Sequence, residues 1–106
     1  MALTLEQALA VATNSGSSTG NPARLGGIAV GQLADLTIID TSATHHLGAG
    51  HPVPALGLHA RAADVTIVIV AGRLVVEGGV LVDTDEHELR ARAAAVMQSM
   101  SSHARP

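Results

Sequence analysis

Apolar positions at the start of the chain recur at helical spacing. Leu5, Ala8, Leu9 and Ala12 fall along one face, and Thr4 stands three residues before Gln7 in the arrangement of a capping box. This pattern predicts a helix over residues 4–13. A helix of that length nucleates poorly alone, so its apolar face needs a surface to dock on. The following NSGSSTGNP run carries Gly16, Gly20 and Pro22, which predicts a loop over residues 14–24. Beyond it the periodicity changes to short β-branched runs. Strands are expected at Gly27–Val30, Leu36–Asp40, Val65–Ala71 and Arg73–Glu77, with a fifth at Val80–Val82. The run VTIVIVA has apolar residues on both faces, as in a strand covered on both sides. Gly72 and Gly78-Gly79 sit where turns would join a meander over residues 65–82. Residues 41–63, with two prolines and four of the six histidines, predict a long irregular connection containing a short helix near Ala55–Ala62. A final amphipathic helix is expected after a cap at Asp83 or Thr84. Leu89, Ala93, Val96, Met97 and Met100 form its stripe, and Glu86–Arg90 and Glu88–Arg92 form i, i+4 pairs.

Composition narrows what these elements build. At 106 residues, with 47% hydrophobic and 14% charged positions, the chain fits one globular unit rather than a disordered one. Phe, Tyr and Trp are absent, so any core is aliphatic. Without cysteine there is no disulfide, thiolate nucleophile or thiolate metal site. The net charge is -3, and the six arginines are scattered, which argues against nucleic-acid binding. The start has no basic n-region, and no apolar run approaches the ~20 residues of a membrane span. A cytoplasmic chain that does not enter the membrane is expected.

Two strand motifs in order carry a family resemblance. LGGIAVGQLADLTIID (residues 25–40) and DVTIVIVAGRLVVEGGVL (residues 64–81) resemble the C-terminal region of metal-dependent amidohydrolases. The matching positions are Gly26, Ile28, Gly31, Ala34, Asp35, Leu36, Ile38, Ile39 and Asp40, then Val65, Val68, Ile69, Val70, Gly72, Arg73 and Val75. HPVPAL at 51–56 is similar to the branch containing triazine hydrolases and nucleobase deaminases. At residues 15–21 the SGSSTGN run departs from the family pattern and shortens the first helix. The resemblance implies an α+β fold: a short sheet, part of a composite β-sandwich, flanked by an N-terminal and a C-terminal helix, with no complete barrel. It divides the chain into a remnant of the last barrel helix with its loop (1–24), a partial β-sandwich (25–84) and a C-terminal helix with its tail (85–106).

Relatives bind zinc or another divalent metal at the mouth of an eight-stranded barrel, through a His-x-His pair, further histidines and an Asp. They use it to activate water for hydrolysis of carbon–nitrogen bonds, such as deamination of a nitrogen heterocycle. This sequence has no His-x-His and no Lys. A barrel takes on the order of 200 residues or more. The expectation is therefore a non-catalytic fragment or subunit, with no catalytic, cofactor-binding or metal residue of its own. A stand-alone β-rich interaction module is the alternative. Strand edges and apolar faces left open predict a homo-oligomer or a complementary barrel subunit as partner.

Three histidines lie within seven residues, at His45, His46 and His51. Adjacent residues of an extended chain point to opposite sides, and no Cys or Glu lies near to complete a ligand set. They are read as a polar surface loop rather than a metal site. His59, His87 and His103 are isolated and read as solvated. Asp35 and Asp40 are read as backbone-capping groups at strand ends rather than catalytic acids.

Overall fold

The computed structural model describes residues 2–14 and 25–104. The first helix, α1 (Leu5–Asn14), begins where the capping signal placed it. The Gln7 N–H donates to Thr4 Oγ1 at 3.1 Å and the Thr4 N–H donates to Gln7 Oε1 at 2.9 Å, so two N–H groups at the helix start are satisfied reciprocally. Of the loop expected over residues 14–24, Asn14 instead closes α1, and residues 15–24 lie outside the described residues.

Four strands, β1 (Leu36–Ile39), β2 (Val65–Val70), β3 (Arg73–Glu77) and β4 (Val80–Leu81), form one antiparallel sheet in the order β1-β2-β3-β4. Thr37 pairs with Val68 and Val68 with Val76, so β2 is bonded along both edges, while the other edge of β1 has no partner strand among the described residues. The β2–β3 turn is closed by Ala71 and Gly72, at φ 49° and 79°. The β3–β4 turn is closed by Gly78 and Gly79, at φ 60° and 78°. Paired positive φ values of this kind suit the twist of a two-residue hairpin. The meander is thus present as its glycines imply.

Residues 27–30 are not a strand. Gly26 and Gly31, both at φ 91°, bracket the segment and turn it away from extended geometry. Ile28 and Val30 consequently stand exposed. The 41–63 connection is more ordered than expected. It holds a 3-10 turn (Thr44–His46), a helical turn α2 (Pro52–Pro54) that continues into a π-helical turn (Ala55–His59), and a second 3-10 turn (Ala62–Asp64). The helical part therefore starts earlier than the expected Ala55. The Ala60 N–H closes the π turn on Ala55 O at 2.8 Å. α1 packs on this segment: Leu5 lies against Gly57, where an added Cβ would sit 2.9 Å from Leu5 Cδ2.

The last helix, α3 (Glu86–His103), is capped by Asp85 rather than by Asp83 or Thr84. Asp85 Oδ1 accepts from the N–H groups of His87 and Glu88, at 2.9 and 3.2 Å. Glu86 and Arg90 approach to 3.7 Å, and Glu86 Oε1 also accepts from the Leu81 N–H, tying the helix start to β4. Glu88 and Arg92 form no ion pair.

Burial within the chain is slight. Ala55, His46 and Asp64 are the buried residues among those described, and Ala55 alone of them is apolar. β2 is half-buried along most of its length, so the expected covering of both its faces is not supplied by the described residues. A folded monomer of 10.7 kDa exposes about 5,500 Å² by the scaling of surface with mass, against 8249 Å² here. The radius of gyration, 18.1 Å, compares with about 13 Å for a compact domain of this length.

Candidate functional site

Two of the three buried residues belong to one polar cluster. The 3-10 turn at 44–46 is held by the His46 N–H on Ala43 O, at 3.0 Å. The turn at 62–64 is held by the Asp64 N–H on Arg61 O at 3.0 Å, and Asp64 O accepts from the Asp40 N–H at 2.8 Å. These anchors bring His45 Nε2 to 2.8 Å and His46 Nε2 to 3.0 Å from the same oxygen, Asp64 Oδ2. The Arg61 N–H donates to that oxygen as well, at 2.8 Å. The two imidazoles sit at a centroid separation of 4.4 Å, tilted by 41°. His59 Nδ1 donates to His45 O at 2.7 Å and braces the turn from the other side.

The reading of His45 and His46 as a surface loop on an extended backbone is corrected here. A 3-10 turn advances side chains by about a third of a revolution per residue, not a half, so neighbours can face one partner. That partner is Asp64, 18 and 19 residues downstream, which spacing alone does not reveal. The His46 side chain is 2% exposed and the Asp64 side chain 9%.

The cluster has a clear electrostatic state. The His45 hydrogen bond and then the Arg61 N–H hold the Asp64 carboxyl well below its ordinary value; desolvation opposes them but does not prevail. An ionised Asp64 accepts, so both histidines present Nε2–H to it. His46 Nδ1 is then a sealed nitrogen with no hydrogen-bond partner among the described residues.

The remaining histidines do not join the cluster. His51 Nδ1 accepts from the Val53 N–H at 3.2 Å and caps α2. His103 Nδ1 donates to Ser99 O at 2.7 Å, and His87 lies exposed on α3. The two acids read as capping groups behave as such. The Ala71 N–H donates to Asp35 Oδ1 at 2.7 Å, and the Ser42 N–H donates to Asp40 Oδ1 at 2.8 Å.

Two clefts flank β1. The first, of about 590 Å³, runs between Ile38, Ile39, His46, His51 and Leu56. The second, of about 730 Å³, lies between Leu9 and Thr13 of α1, the bend at Leu25–Ile28, and Leu36 and Ile39 of β1.

The pattern of the amidohydrolase family matches residues 1–75. The chain belongs to the amidohydrolase family. It is 31% identical over 100 residues to the 5-methylthioadenosine/S-adenosylhomocysteine deaminase of Syntrophobacter fumaroxidans, covering 93% of this chain and 23% of that protein. It is also 31% identical over 94 residues to a 5'-deoxyadenosine deaminase of Methanopyrus kandleri, covering 89% of this chain and 22% of the relative. In three dimensions it overlays 95% of its length on 23% of a zinc-bound adenosine deaminase from Xanthomonas campestris, with a TM-score of 0.90 and 31% identity. The zinc-bound atrazine chlorohydrolase of Arthrobacter aurescens shares the fold, at a TM-score of 0.80 and 22% identity. The chain thus spans less than a quarter of the length of these relatives. As an amidohydrolase-family chain it has the mixed α and β elements expected, with a four-stranded antiparallel sheet and no barrel among the described residues. No helix among them is long and apolar enough to cross a membrane. Its sequence does not fit the barrel zinc set implied by the resemblance, since it has neither a His-x-His pair nor any Lys.

Proposed function

We propose that this chain is a non-catalytic part of a metal-dependent amidohydrolase acting on carbon–nitrogen bonds, contributing a share of a β-sandwich to a barrel supplied by other sequence. The observation that carries this reading is the exposed apolar surface. Leu3, Val11, Ile28, Val30, Ile38 and Val70 all face outward, in a chain with a single buried apolar residue among those described. Removing such surface from water is the main driving force for association, at roughly 25 cal/mol per Å². The free edge of β1 and its two flanking clefts are where a further strand would be received: main-chain groups bond along the edge while alternate side chains enter either cleft. The deaminase relatives support a nitrogen-heterocycle amine as the substrate class of the completed enzyme.

The test combines the purified chain with a related adenosine deaminase from which the matching segment has been deleted, with zinc present throughout. Ammonia release from adenosine is expected only when both are mixed. Turnover by this chain alone, abolished by a chelator, would refute the reading.

The second reading, an oligomerisation module without enzymatic partnership, draws on α3. Leu89, Val96, Met97 and Met100 stand exposed on it. Light scattering after size-exclusion chromatography separates the two, since a discrete dimer indifferent to the truncated deaminase supports the module.

A further inference from the structure

We infer that His45, His46 and Asp64 form a zinc-class divalent cation site that staples the 41–64 segment, distinct from the barrel metal of the family and independent of any partner. Its residues come from two turns of this chain and offer two imidazole nitrogens and one carboxylate oxygen, all within 4.8 Å of one another. That donor set, completed by water, suits four-coordinate zinc.

The geometry requires little movement. Zinc bonds of 2.0–2.1 Å place tetrahedral ligands about 3.3 Å apart. The two histidine nitrogens stand 2.8 and 3.0 Å from Asp64 Oδ2 and within 4.8 Å of each other, so each imidazole–carboxylate pair opens by only a few tenths of an ångström. The backbones that hold the ligands are already fixed by the Ala43, Arg61 and Asp40 hydrogen bonds. As a cation takes the Nε2 lone pair of His46, the ring proton moves to Nδ1, the buried atom that has no partner. His45, with its side chain 20% exposed, leaves a side open for water as the fourth ligand.

Burial supplies the reason for a metal at this place. Small units with little core often draw stability from a bound ion. Here the ligands are themselves two of the three buried residues, so the cation would occupy the centre that apolar side chains do not fill.

Zinc chloride is titrated into the full 106-residue chain against a chromophoric chelator, and cobalt(II) is titrated separately to read coordination from visible absorption. One zinc per chain is expected, with the intense bands of four-coordinate cobalt. Binding should be lost in His45→Gln and Asp64→Asn and kept in His51→Gln and His103→Gln. Because a ligand variant can fail to fold, the cobalt spectrum of the unaltered chain is the independent arm. A weak six-coordinate spectrum, absence of stoichiometric zinc, or binding that survives His45→Gln and Asp64→Asn overturns the inference.

Discussion

Three N–H groups, from His45, His46 and Arg61, end on one oxygen of Asp64. The carboxylate therefore joins two turns far apart in sequence, and its ionised form is the one the fold selects. A carboxyl whose folded value is depressed contributes stability that is full above its ordinary value, near 3.8 here, and is lost as pH falls through the lower folded value. Asp40, whose carboxyl is lowered chiefly by its hydrogen bonds with Ser42, acts in the same direction. Acid unfolding followed by far-UV circular dichroism should accordingly leave the chain intact at pH 5 and weaken it below about pH 4. Replacing His45 by Gln removes the first cause of the Asp64 shift. Carboxyl carbon NMR should then show Asp64 titrating closer to 3.8; an unchanged titration would mean that the Arg61 N–H and His46 together set it.

Hairpin geometry gives predictions for single elements. Ala71 is the one non-glycine residue at positive φ among those described, and Asn tolerates that conformation better than Ala. Ala71→Asn should raise stability by about 0.5 to 1 kcal/mol, read as a higher urea midpoint at unchanged slope. Gly72→Ala acts in the opposite sense. Its Cβ meets no atom, yet φ 79° strains any L side chain, so a loss of about 1 kcal/mol is expected from conformation alone. The α1 cap is a third such device, and Thr4→Ala should cost about 1 kcal/mol and fray the first turn in hydrogen exchange.

At the scale of the molecule, the apolar residues that would normally meet in a core are spread over an accessible surface of 8249 Å². Such a chain should bind a hydrophobic dye and self-associate with rising concentration. Paired Val96→Glu and Met97→Glu substitutions on α3 should reduce that association by severalfold if the helix stripe carries it, and leave it unchanged if the β1 clefts do. Light scattering across a concentration series distinguishes the two.

Features set by neighbouring residues were written in the sequence. The Thr4–Gln7 cap, the turns at Gly72 and at Gly78-Gly79, and the Asp40–Ser42 bond each depend on short polar side chains or on glycine at one turn, whereas Asp35 reaches the Ala71 N–H, 36 residues downstream. Gly27–Val30 shows the limit of such reading, because an apolar pattern does not make a strand where flanking glycines take positive φ and no neighbouring strand bonds to it. Only the tertiary structure joined His45 and His46 to Asp64. That contact spans 18 and 19 residues and exists because two 3-10 turns fold the 41–64 connection back on itself. Tertiary structure likewise decided where the apolar side chains point. Hydrophobic periodicity marks which faces seek cover, and whether anything covers them is a property of the assembled molecule.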